Sequence, residues 1–137
     1  MSTIIAALGP RLLPKNGGLC LRFEVPGAPL TWKRTNDFRG RHLTSAEQRV
    51  YQQHVKRCAW ASMAGHRWPL SARYRVTVLV YAKTRARSDV DNFGKQALDS
   101  LRGVCFGDDW QVDELHVIRA HDPVRPRLDI TVEVLDA

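Results

Sequence analysis

Apolar side chains alternate with polar ones most regularly in the middle of the chain. Over nine residues every second position is apolar or aromatic: Tyr74, Val76, Val78, Val80 and Ala82. A period of two places such positions on one face of a half-buried β-strand. Weaker alternation predicts further strands at residues 19–25, 115–121 and 128–135.

Two other segments repeat their apolar residues at helical spacing. The first follows Thr44 and Glu47, which together predict a capping box at the start of a helix that extends to about residue 63. The second covers residues 91–102, where Phe93, Ala97 and Leu101 fall on one face and Gly103 ends the helix. The predicted order of elements is therefore β-α-β-α-β-β.

This order indicates a single small α+β domain, with one mixed β-sheet and helices packed on it. A chain of 137 residues has room for one core and hardly for two. Residues 14–18 combine proline, asparagine and two glycines, which is typical of a turn or linker. We therefore predict a flexible N-terminal arm over residues 1–18 and a folded domain over residues 19–137.

Composition excludes several classes of protein. The chain is 44% hydrophobic and 26% charged, which favours a globular fold over disorder. Its three cysteines, Cys20, Cys58 and Cys105, lie too far apart for a CxxC motif, so we expect reduced thiols rather than a disulfide scaffold or zinc site. No apolar run approaches the roughly 18–20 residues of a membrane-spanning helix. We expect no membrane association and a cytoplasmic location.

Charge is unevenly distributed along the chain. Residues 1–88 carry 16 Lys and Arg against three Asp and Glu, a formal charge of +13, whereas residues 89–137 carry five against 11, or −6. A basic surface favours a polyanionic partner, most often nucleic acid, although it also occurs as an ordinary solubilising surface. An acidic patch within such a protein would repel a phosphate backbone unless a cation lies between them.

The acidic residues are concentrated where a loop leads into the second predicted helix. In an extended backbone the side chains of Asp89 and Asp91 point the same way, with their Cα atoms about 7 Å apart. Two such carboxylates can share a divalent metal such as Mg²⁺. Lys95 follows Asp91 by one helical turn and can stabilise charge on a scissile phosphate. We expect Asp108 and Asp109, in the next turn, to fold back against the start of the helix and add a third carboxylate.

Each of these acidic residues also has a purely structural interpretation. Asp91, Lys95 and Asp99 have the i, i+4, i+8 spacing of an exposed salt-bridge row. Asp89 can act as a helix N-cap, and Asp108 and Asp109 can belong to a surface turn. These interpretations do not explain why the acidic residues gather within about 25 residues of an otherwise basic chain.

The pattern DVDN-x2-K-x3-D, followed by DD-x-Q, resembles the RusA family of endodeoxyribonucleases, the Holliday junction resolvases of bacteria and phages. The resemblance covers roughly residues 19–135, and the N-terminal half matches more loosely. That half has Pro26-Gly27-Ala28-Pro29 where the family often has a Pro-Pro turn followed by Asn. The matching residues are Asp89, Asp91, Asn92, Lys95, Asp99, Leu101, Gly103, Asp108, Asp109, Gln111 and Val112.

The resemblance implies a Mg²⁺-dependent endodeoxyribonuclease, with Mn²⁺ as a substitute, that resolves Holliday junctions by paired nicks during DNA recombination and repair. It implies Asp89, Asp91 and Asp109 as metal ligands and Lys95 as the catalytic lysine. Asp108 and Asp99 are second-tier candidates. It also implies a cytoplasmic protein of bacterial or prophage origin, which acts on four-way or other branched DNA.

Seven basic residues are the predicted phosphate contacts: Lys33, Arg34, Arg39, Arg41, Lys83, Arg85 and Arg87. Trp32 or Phe38 would stack on bases opened at the crossover, unless ordinary packing uses them. Because a junction is nearly two-fold symmetric and the chain has one acidic cluster, we expect a homodimer with one active site per chain.

Two other functions remain compatible with the residues. A non-catalytic, degenerate protein that binds branched nucleic acid would explain the basic surface, but it would be expected to have lost at least one of the presumed ligands or the lysine. A Mg²⁺ phosphohydrolase for small substrates would explain the acidic residues and leave the basic half without a role.

Overall fold

The computed structural model describes residues 11–15, 18–31, 35–36, 42–43, 45–65, 67–84 and 89–135. The strands are β1 (Arg11–Lys15), β2 (Gly18–Pro26), β3 (Thr35–Asn36), β4 (His42–Leu43), β5 (Arg73–Ala82), β6 (Val112–His121) and β7 (Arg127–Leu135). The helices are α1 (Ala46–Met63) and α2 (Val90–Leu101), and a 3₁₀ turn covers Asp109–Gln111.

The main sheet has five strands in the order β1-β2-β7-β5-β6. Strands β5 and β6 are parallel, and the other neighbours are antiparallel. The predicted β-α-β-α-β-β order is confirmed as β2-α1-β5-α2-β6-β7 in a mixed sheet. Strands β3 and β4 form a separate two-stranded ladder between β2 and α1, within a segment for which the sequence predicted no strand.

Strand β1 lies in the segment predicted to be a flexible arm. It pairs antiparallel with β2, so that Arg11 lies opposite Arg22 and Lys15 lies opposite Gly18. The predicted domain boundary at residue 19 therefore falls inside a β-hairpin. Residues 1–10 of the predicted arm lie outside the described residues.

One face of the sheet carries the core. Strand register aligns rows of buried apolar side chains across β2, β7 and β5, since Phe23 pairs with Ile130 and Ile130 pairs with Val78. All three are at most 3% exposed. The alternation that predicted the strands thus has its physical cause in one sheet face that is covered by helices.

The N-cap of helix α1 lies one residue after the predicted cap. It is Ser45, whose Oγ accepts a hydrogen bond of 3.1 Å from the backbone N–H of Gln48. The buried Val55 and Ala59 face the core, as their spacing predicts.

Side chains of α1 fix the position of α2. Lys56 Nζ donates to the carbonyl oxygens of Ser100, at 2.7 Å, and Arg102, at 3.0 Å. Gln52 Nε2 donates to Gln96 Oε1 at 2.7 Å. The last carbonyls of a helix lack partners within the helix and carry partial negative charge, so an ammonium group there is favourable. Partial burial lowers the pKa of Lys56.

Helix α2 lies closely against β6. A Cβ atom on Gly94 would come within 2.8 Å of Val117 Cγ2 and 3.2 Å of Leu115 Cδ2, so only glycine fits this approach without a shift. Because α2 connects two parallel strands, it runs antiparallel to both. It therefore starts at the C-terminal ends of β5 and β6 and ends beside their N-terminal ends.

Candidate active site

Asp89 and Asp91 lie at the start of α2 with exposed side chains. Asp89 is the N-cap residue in an extended backbone conformation, with φ −72° and ψ 135°. Its backbone oxygen accepts from the N–H of Asn92 at 3.1 Å, and its carboxylate makes no capping hydrogen bond. The side chain of Asp89 is therefore not used as a cap, which leaves both carboxylates facing solvent near one another.

Asp91, Lys95 and Asp99 follow one another by single turns along the outer face of α2. The opposite face, which includes Phe93 and Ala97, is buried. Burial raises the pKa of Asp99, while the positive charges of Lys95 and Arg102 act to lower it. At 1.5 Å per residue, Asp91 and Asp99 lie about 12 Å apart along the helix axis.

Arg102, which was not selected from the sequence, contacts the other three acidic residues of the motif. Its Nη2 atom lies 2.8 Å from Asp109 Oδ2 and 3.1 Å from Asp99 Oδ1, and its Nε atom lies 3.9 Å from Asp108 Oδ1. The i, i+3 spacing from Asp99 was the available sequence signal. One guanidinium thus connects α2 to the turn that carries the Asp108–Asp109 pair.

Gln111 determines the shape of that turn. Its Oε1 accepts from the backbone N–H groups of Gly107 and Asp108, both at 2.9 Å. Its Nε2 donates to the carbonyls of Leu70, at 2.8 Å, and Ala72, at 3.0 Å. The buried amide therefore ties the turn to the residues that lead into β5.

The prediction that this turn folds back against the start of α2 is wrong. The turn is bonded to Arg102 and to the chain before β5, so it lies at the other end of the helix. Asp89 and Arg102 are separated by about 20 Å along the helix axis. Across the described part of the chain, no three His, Cys, Asp or Glu residues are placed to hold one metal ion. Asp89 and Asp91 thus form a pair of carboxylates, and Asp109 of the same chain lies too far away to join them.

Comparison with protein families gives a match. The model of the family described as Endodeoxyribonuclease RusA matches residues 26–133. The chain belongs to the RusA endodeoxyribonuclease family. None of the curated proteins compared with the chain matches it.

The match confirms the resemblance recognised from the acidic motif. It covers the motif from Asp89 to Val112 and both helices, so the RusA-family assignment rests on residues 26–133 rather than on a short pattern. Membership in this family makes the chain a nuclease of the endodeoxyribonuclease class. None of the helices in the described ranges is both long and apolar enough to cross a membrane.

A cavity of about 370 Å³ lies where β5 and β6 end in this RusA-family protein. Its described lining is Thr84, Arg119, Ala120 and His121. Strand alternation places Arg119 on the same face as Val117, the residue under Gly94. Helix α2 begins at this end of the strands, so the cavity is on the Asp89 side of the molecule. Arg119 was not selected from the sequence, although its position two residues after Val117 predicts this face.

Of the seven predicted phosphate contacts, Lys83 is the one within the described residues. It is exposed directly after β5, and its backbone oxygen lies 3.1 Å from His121 Nε2. The predicted stacking residues, Trp32 and Phe38, and six predicted contacts lie outside the described residues; these six are Lys33, Arg34, Arg39, Arg41, Arg85 and Arg87.

Proposed function

We propose that this RusA-family protein is a divalent-metal-dependent nuclease that resolves Holliday junctions by paired nicks in DNA recombination and repair. The observation that carries the proposal is the exposed row on α2, where Asp89, Asp91 and Lys95 all face solvent. A protein that only binds branched DNA has no need for two acidic groups and a lysine in this arrangement. The family match supports the same conclusion.

Asp89 and Asp91 are the proposed ligands of Mg²⁺, or of Mn²⁺ in its place. Their chemistry fits, because Mg²⁺ prefers one or two carboxylates together with waters and phosphate oxygens. When bound, the ion would neutralise charge on the phosphodiester and polarise it for attack by water. Lys95 lies one turn further along α2, where its ammonium would stabilise negative charge on a phosphate oxygen.

The position of Asp109 supports a homodimer. Asp109 lies about a helix length from Asp89, and both are close to the outer face of α2. Two copies related by a two-fold axis, with their α2 helices antiparallel, would bring Asp109 of each copy beside Asp89 and Asp91 of the other. We propose that the dimer contains two such sites, each shared between the two copies. This proposal replaces the expectation that each site is built from one chain. Two sites match the two nicks that junction resolution requires.

A cleavage assay on labelled DNA tests the nuclease proposal. We expect the protein to cut a four-way junction in Mg²⁺, to spare a linear duplex, and to lose cleavage when the metal is chelated. Asp91→Asn should abolish cleavage and leave junction binding within about twofold. Glu47→Gln, an exposed carboxylate in the first turn of α1, is the matched control and should cut normally. A wild-type protein that binds junctions but cuts none in Mg²⁺ or Mn²⁺ would establish the non-catalytic alternative.

Mixing two inactive variants tests the shared sites. In a heterodimer of Asp91→Asn with Asp109→Asn, one site carries both substitutions and the other carries neither. We therefore expect the mixture, after subunit exchange, to nick one strand, although each variant alone nicks none. An inactive mixture, with exchange verified by mass spectrometry, would mean that all the ligands come from one chain.

Lys83 and Arg119 are the proposed phosphate contacts on the Asp89 side. Each phosphate contact that is lost should reduce the slope of log K against log[salt] by about 0.9. We expect Lys83→Ala and Arg119→Ala each to weaken binding to junction and duplex alike, with that change in slope. An unchanged slope would remove the residue from the DNA interface.

A further inference from the structure

Trp110 is an exposed aromatic residue placed directly after Asp109. It lies in the 3₁₀ turn and leaves 69% of its surface exposed, while the next residue, Gln111, is 5% exposed. An indole ring offers a large apolar surface that folding usually buries. The four hydrogen bonds of Gln111 fix the turn, and the turn in this arrangement presents Trp110 outward.

Arg73 orients the indole ring. The Arg73 guanidinium carbon lies 5.3 Å from the ring centroid, a distance at which a cation is attracted to the ring face. Asp113 in turn holds Arg73, through a 3.0 Å hydrogen bond from Nε and a second contact from Nη2. The guanidinium thus covers one face of the indole, and most of the remaining surface is open to a ligand.

The carboxylates around Trp110 are partly neutralised by two guanidinium groups. Four carboxylates lie nearby in the chain or in space, and each is within 4 Å of a guanidinium nitrogen: Asp99, Asp108, Asp109 and Asp113. The first three pair with Arg102, and Asp113 pairs with Arg73. Two guanidinium groups against four carboxylates leave a formal charge of −2 beside the ring, so a nucleic acid would meet this surface with the face of a base rather than with a phosphate.

We propose that Trp110 stacks on an unstacked base of branched DNA beside the Asp109 carboxylate. This inference rests on the proposed function, since it assigns the base-recognition element of the same nuclease. Every base has a π-face, so stacking tolerates any sequence, but it requires a base that is not already stacked within a duplex. Branch points supply such bases, because neighbouring base pairs there are no longer stacked on each other, whereas a linear duplex has them only at its ends. Trp110 therefore contributes selectivity for branched over linear DNA.

Binding measurements without divalent metal test this role independently of cleavage. Trp110→Ala should weaken binding to a four-way junction roughly 5–150-fold, the range of one base–aromatic stack, and leave linear-duplex binding within about twofold. The slope of log K against log[salt] should not change, because stacking releases no counterions. Trp110→Phe should retain most of the junction affinity.

Trp60→Ala is the matched control, since Trp60 is 52% exposed on α1. It should not change the ratio of junction to duplex affinity. A bromouracil placed at the exchange point should photocrosslink to Trp110 in the wild-type protein. Crosslinking elsewhere, an equal loss on both substrates, or no loss would each overturn the proposal.

Sedimentation and cleavage complete the test. If Trp110→Ala is a monomer where the wild-type protein is a dimer, then the ring belongs to a contact between copies and the stacking proposal falls. If the wild-type protein cuts no DNA and Trp110→Ala still loses junction selectivity, the nuclease proposal fails and the stacking proposal stands. The two proposals therefore fail separately.

Discussion

Arg102 Nη2 lies 2.8 Å from Asp109 Oδ2, across seven residues of chain. The same nitrogen lies 3.1 Å from Asp99 Oδ1, so the two contacts join the last turns of α2 to the following 3₁₀ turn. This ion pair places the third presumed ligand at the opposite end of α2 from Asp89. It therefore separates the acidic residues that the linear motif lists together.

We predict that Arg102→Gln reduces junction cleavage about 3–10-fold and leaves the junction Kd unchanged. A charge-assisted hydrogen bond contributes about 1.5–3 kcal/mol, and this pair, with the arginine 46% exposed, belongs below that range. Without it Asp109 is less well positioned. Single-turnover kinetics would measure the change, and Arg102→Lys should recover part of the rate. An increase in rate would instead show that Arg102 restrains Asp109 from binding metal.

Gln111→Leu should destabilise the fold by about 2–4 kcal/mol. The substitution leaves two backbone N–H groups and two carbonyls without the amide partner, at a residue that is 5% exposed. Urea denaturation followed by circular dichroism would measure the loss. Gln111→Glu is the informative comparison, because it keeps the acceptor and loses the two donors. If Gln111→Leu is as stable as the wild type, then the turn does not depend on this amide.

Lys95→Ala should reduce the cleavage rate about 10²–10³-fold, the usual loss for one group that stabilises developing charge. Junction affinity should fall only slightly, since one surface cation among many is removed. Lys95→Arg tests whether charge alone is sufficient. A loss of less than fivefold would leave Lys95 as a member of the salt-bridge row with Asp91 and Asp99.

Gly94→Ala should destabilise the protein by up to about 2 kcal/mol, although alanine is the better helix former. The added methyl group would lie 2.8 Å from Val117 Cγ2, and overpacking costs about 1–3 kcal/mol, which exceeds the gain of about 1 kcal/mol in helix propensity. The double variant with Val117→Ala should remove this conflict. Purely additive effects in that double-mutant cycle would contradict close packing of α2 on β6.

The stabilising effect of Glu114 should depend on pH in the acid range. Arg75 Nη2 and His116 Nε2 lie 2.9 Å and 3.1 Å from its carboxylate oxygens, and hydrogen bonds from Arg75 and then His116 lower its pKa to about 2. Because the folded pKa lies below the unfolded value, the stabilisation is present above about pH 4.5 and is lost as the pH falls through 2. Glu114→Gln should therefore be less stable than the wild type at pH 7, with the difference vanishing near pH 2. A carboxyl titration midpoint near pH 4 by NMR would contradict this.

The sequence alone determined both helices, four of the strands and the family. A strand that buries one face alternates apolar and polar residues, as at Val76 and Val78. A helix that buries one face repeats apolar residues every four positions, as at Phe93 and Ala97. Both patterns are local, so they can be recognised without knowledge of the fold. The DVDN-x2-K motif is local for the same reason, because its members occupy successive turns of one helix. Strand β1 escaped prediction because it is a short edge strand with little apolar alternation, and its pairing with β2 is a tertiary contact.

Only the tertiary structure decided how the acidic residues relate to one another. Spacing in sequence does not say which end of α2 the Asp108–Asp109 turn reaches, since that depends on where Gln111 and Arg102 find their partners. The parallel pairing of β5 with β6 requires α2 to cross from one end of the sheet to the other, which carries Asp109 away from Asp89. The same geometry presents Trp110 to solvent over Arg73, a contact between residues 37 positions apart that no local pattern encodes.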